Sequence, residues 1–453
     1  MMQNSDPASK RQKTDDTRES AAAFSVTLPP LHRLPYTRLY KHALESIFTH
    51  LGLADLAHIS ATCRDWSVAV DSMRPIGARV VAGADKLSAI GKSRFLRHIT
   101  EIHVQEPRSA ISKHRLVRRT TTEIHVQAQE SRRVSMQCVA SLCHIIGQSK
   151  SLGTVTVTAR GDGIGYEGAF AIAEAIKQST SLTAVGLSRN SIGDKGAAAF
   201  AEAIKQSKSL ISVDLSLNEI GDEGASAIAE AIITQSKLMV SVNLGCNQIG
   251  DDGAVAIGEA IKQSKSLVAM YLEGNLIGDT GIAAIAGAIA QSKSLASVDL
   301  GSNRVGDDAA SVAAIVEAIK QSKSLTAVNL SSNGIGCEGA SAIAGAIAQS
   351  KSLTFVDLSI NSINDEGAVA IADAIKQSTS LTFVNLSENE IGSVGASAIA
   401  DAMRQSTSLN TMKLRYNSIG TVGMVAITEA IKQNKLLVSV DVGYNDITST
   451  QRP

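Results

Sequence analysis

The sequence is poor in aromatic side chains and carries no excess of charge of either sign. Phe, Tyr and Trp make up 3% of the 453 residues, so a core has to be built from Leu, Ile, Val and Ala in close, regular layers. Lys plus Arg and Asp plus Glu both number 43, and this zero formal net charge gives no field that would attract nucleic acid or an acidic membrane surface. Because no apolar run reaches about 18 residues and no N-terminal signal pattern is present, we expect a soluble, intracellular protein with no membrane partner and no specific nucleic-acid partner.

We find little in the sequence that is typical of a catalytic or metal site. Its five cysteines show no tight spacing, and we interpret them as free thiols of a reducing compartment. Every histidine lies at or before His144, so no Ser–His or Cys–His pair can form in the rest of the chain. Cys138 and Cys143 lie close to His144, but their helical spacing favours small core residues over a metal site. With no phosphate-binding loop either, we predict a non-catalytic protein without metal or cofactor.

From about residue 134 an asparagine recurs at a nearly fixed period. Successive asparagines are mostly 28 residues apart, with one interval of 29 and one of 30. Such a period is the signature of a repeat architecture. The asparagines are Asn190, Asn218, Asn247, Asn275, Asn303, Asn333, Asn361, Asn389, Asn417 and Asn445.

Each repeat combines strand periodicity with helix periodicity. Val185 and Leu187 alternate with small residues, as in a strand, whereas Ile228 and Ile232 are spaced as on one face of a helix. Stacked repeats of this kind bury their apolar faces between a parallel sheet and a layer of helices. We expect the asparagine amide to bond backbone groups of the turn after the strand. We also expect a recurring glycine such as Gly224 to ease the turn into the helix, and the two longer intervals to be small defects.

The consensus Leu-x-x-Val-x-Leu-x-x-Asn-x-Ile-Gly-x-x-Gly resembles the ribonuclease-inhibitor-like class of leucine-rich repeats over about two-thirds of the chain. The resemblance implies an α/β solenoid with a parallel sheet on its concave face and helices on its convex face. It does not imply one function, because that class serves many roles.

The concave face is the expected partner-binding surface. In each repeat the residue between Val and Leu points out of the sheet, and this column contains Asp214, Tyr271, Asp299, Asp357 and Lys413. The aspartates give a mild preference for basic groups on a partner. The alternative is a solvated, hydrogen-bonded ladder without a binding role.

A second outward-pointing column, just before Val, is mostly Ala or Ser but is Phe355 and Phe383 in two adjacent repeats. With Lys413 and with Arg415, Tyr416 and Tyr444 near them, the two rings form a candidate anchor cluster for a partner. The alternative is that the rings only stack on each other across the strands.

Before the repeats, Ile-Phe-x-x-Leu-x-x-x-Asp-Leu-x-x-x-Ser-x-x-Cys-Arg-x-Trp runs without a gap from Ile47 to Trp66 and resembles an F-box. The resemblance implies a small all-α module whose apolar side chains dock a Skp-type adaptor. The alternative is an N-terminal cap that shields the first repeat. The adaptor-binding candidates are Leu44, Ile47, Phe48, Leu51, Leu56 and Trp66.

Changes in composition divide the chain into four segments. These are a disordered tail (1–30), an F-box-like helical module (31–75), an irregular basic connector with two short strands around Ile102 and Ile124 (76–133), and the repeat array (134–453). We expect a cytoplasmic protein, with nuclear import through the basic segment 10–13 as the alternative.

An F-box followed by leucine-rich repeats resembles the substrate-recognition subunits of cullin–RING (SCF-type) ubiquitin ligases. This resemblance implies a non-catalytic protein, monomeric before assembly, that joins a Skp-type adaptor and cullin to an unknown protein substrate. One alternative is a stand-alone scaffold or inhibitor that uses the repeats alone. A second alternative is a Ran GTPase-activating protein, a class with related repeats.

Overall fold

A computed structural model gives the fold of the repeat-bearing part of the chain. The chain divides into two compact units, Met1–Ala69 and Val70–Pro453, and every described residue belongs to the second. The structure describes residues 78–83, 99–105, 122–127, 134–159, 163–235, 237–306 and 308–445.

In the described residues fourteen strands form a single parallel sheet, and each strand pairs with the next one along the chain. The strands are β1 (Ala78–Gly83), β2 (Ile99–Gln105), β3 (Glu123–Gln127), β4 (Thr154–Thr158), β5 (Ala184–Gly186), β6 (Ser212–Asp214), β7 (Ser241–Asn243), β8 (Ala269–Tyr271), β9 (Ser297–Asp299), β10 (Ala327–Asn329), β11 (Phe355–Asp357), β12 (Phe383–Asn385), β13 (Thr411–Lys413) and β14 (Ser439–Asp441).

From β3 onward the strands alternate with helices of 13 or 14 residues. None of these described helices is long and apolar enough to cross a bilayer. The helices are α1 (Met136–Gln148), α2 (Gly165–Gln178), α3 (Gly193–Gln206), α4 (Asp222–Thr234), α5 (Asp251–Gln263), α6 (Asp279–Gln291), α7 (Ala309–Gln321), α8 (Gly336–Gln349), α9 (Asp365–Gln377), α10 (Ser393–Gln405) and α11 (Gly420–Gln433).

The core lies between the sheet and the helices. In β5 to β13 the middle residue is buried and its two neighbours are half-buried, because successive side chains of a strand point to opposite faces. Helix α4 contributes Ala225, Ile228 and Ile232 to the same core from one face of the helix. The first and third residues of β5 to β14 therefore lie on the other side of the sheet, which we call the open face. The predicted solenoid, with its parallel sheet and outer helices, is confirmed.

The sheet begins before the periodic asparagines. The strands expected around Ile102 and Ile124 are present as β2 and β3, and β1 precedes them. β1 pairs in parallel with β2, β2 with β3 and β3 with β4, with one irregularity of register between Ala78 and Arg79 of β1. The four-segment division of the chain stays a prediction, although the sheet itself extends into the segment expected to be a connector.

The recurring asparagine joins each repeat to the one before it. Asn218 is fully buried, and its Nδ2 donates to the carbonyls of Leu187 and Ser216 at 2.8 and 2.9 Å. Its Oδ1 accepts the backbone N–H of Asn190 at 2.9 Å. The predicted role of the amide in the turn is confirmed, and the structure adds that two of these three bonds cross between repeats. Equivalent bonds to the preceding repeat occur at Asn247, Asn333, Asn361, Asn389 and Asn445.

The recurring glycine has a different role from the one predicted. Gly224 lies inside the first turn of α4, and a Cβ there would come within 2.6 Å of Asp194 Oδ1 and 2.9 Å of Ala197 Cβ. Asp194 of the preceding repeat accepts the backbone N–H groups of Gly221 and Gly224 at 2.7 and 3.0 Å. The glycine is therefore required for the close approach of neighbouring helices, and the aspartate satisfies helix N–H groups that have no partner within their own helix.

The two longer intervals are absorbed without breaking the sheet. In the 30-residue interval Ser311 stands at the glycine position and donates its hydroxyl to Asp279 Oδ1 at 2.8 Å. In the 29-residue interval Gln235 follows α4, and its Nε2 donates to the Lys205 carbonyl at 2.6 Å. Because Val298 still pairs with Val328, the expectation of small defects is confirmed.

We predict that Asn218→Ala lowers the stability of the array by about 3 kcal/mol, because it leaves buried carbonyl and N–H groups without partners. Asn243→Ala is the matched control, since the Asn243 amide accepts one bond, from Gly245 N, on the open face. Urea unfolding followed by circular dichroism measures both. Equal shifts of the two midpoints would show that the buried amide is not a major source of stability.

We predict opposite effects for two Gly-to-Ala changes in helices. Gly224→Ala should destabilise the protein by about 1–3 kcal/mol through overpacking against the neighbouring repeat. Gly287→Ala, in α6, should stabilise it by roughly 0.5–1 kcal/mol, because no atom lies within 4 Å of the added Cβ and alanine favours the helix. Thermal unfolding of both variants checks the signs, and a stabilising Gly224→Ala would contradict the close-approach interpretation.

Candidate partner-binding surface

The acidic column of the open face is a hydrogen-bonded ladder. Asp299 Oδ1 accepts the Gly301 N–H and Oδ2 accepts Asn329 Nδ2, each at 2.9 Å. Asp357 accepts the N–H of Ser359 and, on its other oxygen, Asn385 Nδ2. The ladder that was expected as an alternative is therefore present. It holds the carboxylates at fixed positions on an accessible surface.

The open face collects like charges around β8 and β9. Burial raises the pKa of Glu273, and the carboxylates of Asp299 and Asp214 raise it further. Burial also raises the pKa of Asp299, with a further contribution from Asp357. Within the described residues none of these four carboxylates forms an ion pair. This half of the surface thus clusters carboxylates that have no ion-pair partner among the described residues.

Glu273 is held in an unusual position for a carboxylate. It occupies a column that is otherwise mostly Ser or Gly, and its Oε1 lies where a side chain on Gly245 would be. Its Oε2 is buried and has no hydrogen-bond partner among the described residues. A buried, unpaired carboxylate oxygen is energetically costly, so this position favours a positively charged neighbour.

A shallow, open depression of about 260 Å³ lies in the open face over strands β8 to β11. Tyr271 and Phe355 lie at its two ends, and Asp299 contributes a carboxylate between them. Ser297 and Ala327 form part of its lining, and their small side chains leave the space open. The depression combines two aromatic rings with one fixed acid.

Phe355 and Phe383 occupy adjacent strands in direct register and stack on each other. Their ring centroids are 4.3 Å apart and the planes are inclined by 10°. Lys413 Nζ lies 5.3 Å from the centroid of the Phe383 ring, within the range of a cation–π contact. Cross-strand stacking is thus real, and both rings remain only half-buried. Their use as a partner anchor stays a prediction.

Tyr416 and Tyr444 form a second stacked pair, with centroids 4.5 Å apart and planes inclined by 8°. The Arg415 guanidinium lies 4.9 Å from the Tyr444 ring centroid and 3.5 Å from Asp441 Oδ2. Both rings are exposed, at 48% and 69%. The basic side chain is therefore held by aromatic and acidic groups of its own chain.

The tyrosine pair lies in a column where the backbone has positive φ. Tyr416 and Tyr444 have φ of 52° and 55°, and the equivalent Leu217 and Ile360 have 58° and 57°. This left-handed conformation costs most residues roughly 1 kcal/mol. The left-handed conformation recurs at this position with different side chains, so the turn geometry of the repeat imposes it. The positive φ of the two tyrosines therefore does not indicate a binding site.

The structure brings together part of the predicted surface. Tyr271, Asp299 and Phe355 line one depression, whereas Asp214 lies at β6 and acts on Glu273 through its charge. Lys413, Arg415, Tyr416 and Tyr444 lie on the last two repeats, beyond Phe383. The adaptor-binding candidates Leu44, Ile47, Phe48, Leu51, Leu56 and Trp66 lie outside the described residues.

Sequence reasoning missed Glu273 and the small residues Ser297 and Ala327 of the depression. The signal for Glu273 was available, because a charged residue interrupts a column of Ser and Gly on both sides. The depression could not be found in the same way. It exists because small residues of two middle strands stand between large residues of the outer two.

Of the two cysteines in α1, Cys138 is a core residue and Cys143 is half-buried. Cys138 is buried in α1, and burial raises its pKa to about 12. Burial also raises the pKa of Cys143, to about 11. Both thiols are therefore protonated at neutral pH, as expected of structural rather than reactive cysteines.

Two family models match parts of the chain. The F-box domain model matches residues 31–76. A leucine-rich-repeat model matches six times, at residues 178–201, 206–229, 235–258, 321–344, 349–372 and 377–400. The assignment of the repeats to the ribonuclease-inhibitor-like class stays a prediction.

Solved structures give weaker similarities. The chain is similar to actin-binding site 2 of leiomodin-1, with 21% identity over 32% of this chain and 87% of that one, at a TM-score of 0.28. It is also similar to an internalin of Listeria monocytogenes, with 18% identity over 81% of this chain and 89% of that one, at a TM-score of 0.42. Both TM-scores are too low to support a functional comparison.

None of the curated proteins compared with the sequence matches it. The family matches, the period and the parallel sheet nevertheless agree with one another. The chain thus carries an F-box match followed by leucine-rich repeats, an arrangement consistent with an F-box protein of the leucine-rich-repeat kind.

Proposed function

We propose that this protein is the substrate-recognition subunit of a cullin–RING (SCF-type) ubiquitin ligase. The observation that carries the proposal is the F-box match at residues 31–76 on the same chain as a sheet with one open face. F-box domains bind Skp-type adaptors, and an open sheet face lined by aromatic and charged side chains suits a protein partner.

In this role the protein performs no bond chemistry itself. It holds a substrate protein on the open face while the adaptor and cullin bring the ubiquitin-transfer machinery to the same complex. Ubiquitin transfer is favoured by a high effective concentration of the substrate, because tethering makes the encounter of substrate and transfer machinery intramolecular. We further propose that the unassembled protein is a cytoplasmic monomer.

The F-box match favours this role over the two alternatives. A stand-alone scaffold or inhibitor needs only the repeats, and a Ran GTPase-activating protein has no need of an adaptor-binding module. Because neither alternative accounts for residues 31–76, the adaptor interaction is the feature that separates the three.

We predict that Leu44→Asp combined with Ile47→Asp reduces the adaptor and cullin recovered with the full chain at least tenfold. A carboxylate buried in an apolar helix interface is costly unless it is paired. Co-purification from cells, quantified by immunoblot, measures the recovery, and Phe355→Ala combined with Phe383→Ala is the control that should retain it. Undiminished recovery with the aspartate variant would favour the stand-alone scaffold.

We predict that Phe355→Ala combined with Phe383→Ala weakens substrate capture about tenfold or more, because aromatic anchors dominate interface energetics. Quantitative mass spectrometry of cross-linked partners measures capture, and thermal unfolding checks that the array stays folded. Phe170→Ala is the matched control, since this phenylalanine is 55% exposed on helix α2 and lies away from the open face. Unchanged capture by the double variant would remove the phenylalanine pair from the binding surface.

A further inference from the structure

We infer that the depression between Tyr271 and Phe355 binds a cationic side chain, an arginine or lysine within an extended basic segment of the partner. The inference rests on the proposed function, because it names the chemistry of the substrate that the open face would hold. The proposed site is the depression itself, and all of its lining residues are described by the structure.

The geometry of the depression suits one long, charged side chain. Tyr271 is opposite Asp299 in the register of β8 and β9, so the ring and the carboxylate are cross-strand neighbours. Phe355 is opposite Ala327 on the far side. Tyr271 and Phe355 are three strand spacings apart, roughly 14 Å along the sheet, and the side chains of Ser297 and Ala327 between them are small. A planar or extended cation can therefore lie against a ring while it contacts the acid.

The charge of the surrounding surface is complementary to such a group. The Asp299 oxygens each accept one hydrogen bond and retain further acceptor capacity toward a donor above the sheet. Glu273 follows Tyr271 just after the end of β8. One of its carboxylate oxygens is buried and has no hydrogen-bond partner among the described residues. A cation in the depression would offset the mutual repulsion of these carboxylates, and a partner anion would increase it.

The same sheet already holds cations in this way. Lys413 lies 5.3 Å from the Phe383 centroid, and Arg415 lies against the Tyr444 ring while it pairs with Asp441. These two basic residues belong to the last repeats and contact the aromatic rings of neighbouring residues in the same chain. Tyr271 and Phe355 have the same kind of ring without a described cation–π partner of their own. A cation supplied by a partner would complete at the depression the arrangement of ring, cation and acid that Arg415 forms with Tyr444 and Asp441.

Fluorescence polarisation of the full chain with three matched peptides tests the inference. The peptides share a Gly–Ser background and carry three arginines, three citrullines or three glutamates, so that arginine and citrulline differ in charge but hardly in shape. We expect the arginine peptide to bind at least tenfold more tightly than the citrulline peptide, and its affinity to fall with added salt. A lysine version of the peptide should also bind, as a cation–π contact and a carboxylate accept either group.

Variants locate the binding at the depression. Asp299→Asn and Tyr271→Ala should each weaken arginine-peptide binding about fivefold or more, and two variants keep the test decisive if one of them fails to fold. Glu317→Gln is the control for net charge, because Glu317 is exposed on helix α7, and it should change the affinity less than about twofold.

Four outcomes would overturn the inference, three of them in the peptide assay. These are no measurable binding of the arginine peptide, equal binding of the arginine and citrulline peptides, and equal losses in Asp299→Asn and Glu317→Gln. A dimer in sedimentation that Asp299→Asn dissolves would also overturn it, since the surface would then bind a second copy of the chain. Adaptor recovery measured on the same variants tests the proposed function separately. A failure of the proposed function would show as lost adaptor binding by residues 31–76, and peptide binding would stay intact.

Discussion

The buried asparagine amide is the interaction on which the array depends. From Asn218 onward, each amide donates to a carbonyl just after a strand of the preceding repeat and accepts an N–H from the preceding turn, as Asn218 does with Leu187 and Asn190. These groups are buried, so no solvent could replace the bonds at low cost. The amide therefore fixes the spacing of neighbouring turns, and the strands between those turns follow in register.

This constraint leaves the open face free to vary. The middle residue of each strand must be apolar, but its neighbours face away from the core, and they range from Gly186 to Tyr271 and Lys413. The sheet thus presents acids around β8 to β11, phenylalanines at β11 and β12, and bases at β13. Because backbone bonds hold the strands, such an order of side chains can specify a partner without affecting the fold.

The side chains of the open face are preorganised for binding. The thiols of Cys138 and Cys143 are kept protonated by burial, and the carboxylates of the open face are held by N–H and amide donors in fixed positions. Fixed side chains lose little entropy when a partner docks, which favours recognition. Together with the F-box match, this preorganised surface supports the proposed role as a substrate-recognition subunit.

The sequence by itself determined the repeat period, the alternation of strand and helix, the role of the asparagine and the adjacency of Phe355 and Phe383. All of these follow from spacing within or between repeats, because strand and helix periods are local properties of the chain. Only the tertiary structure decided why Gly224 must be glycine, which N–H groups Asp194 binds, and that Glu273 is partly buried. Each of these depends on the distance between neighbouring repeats, which is set by how whole layers pack and not by the pattern within one of them.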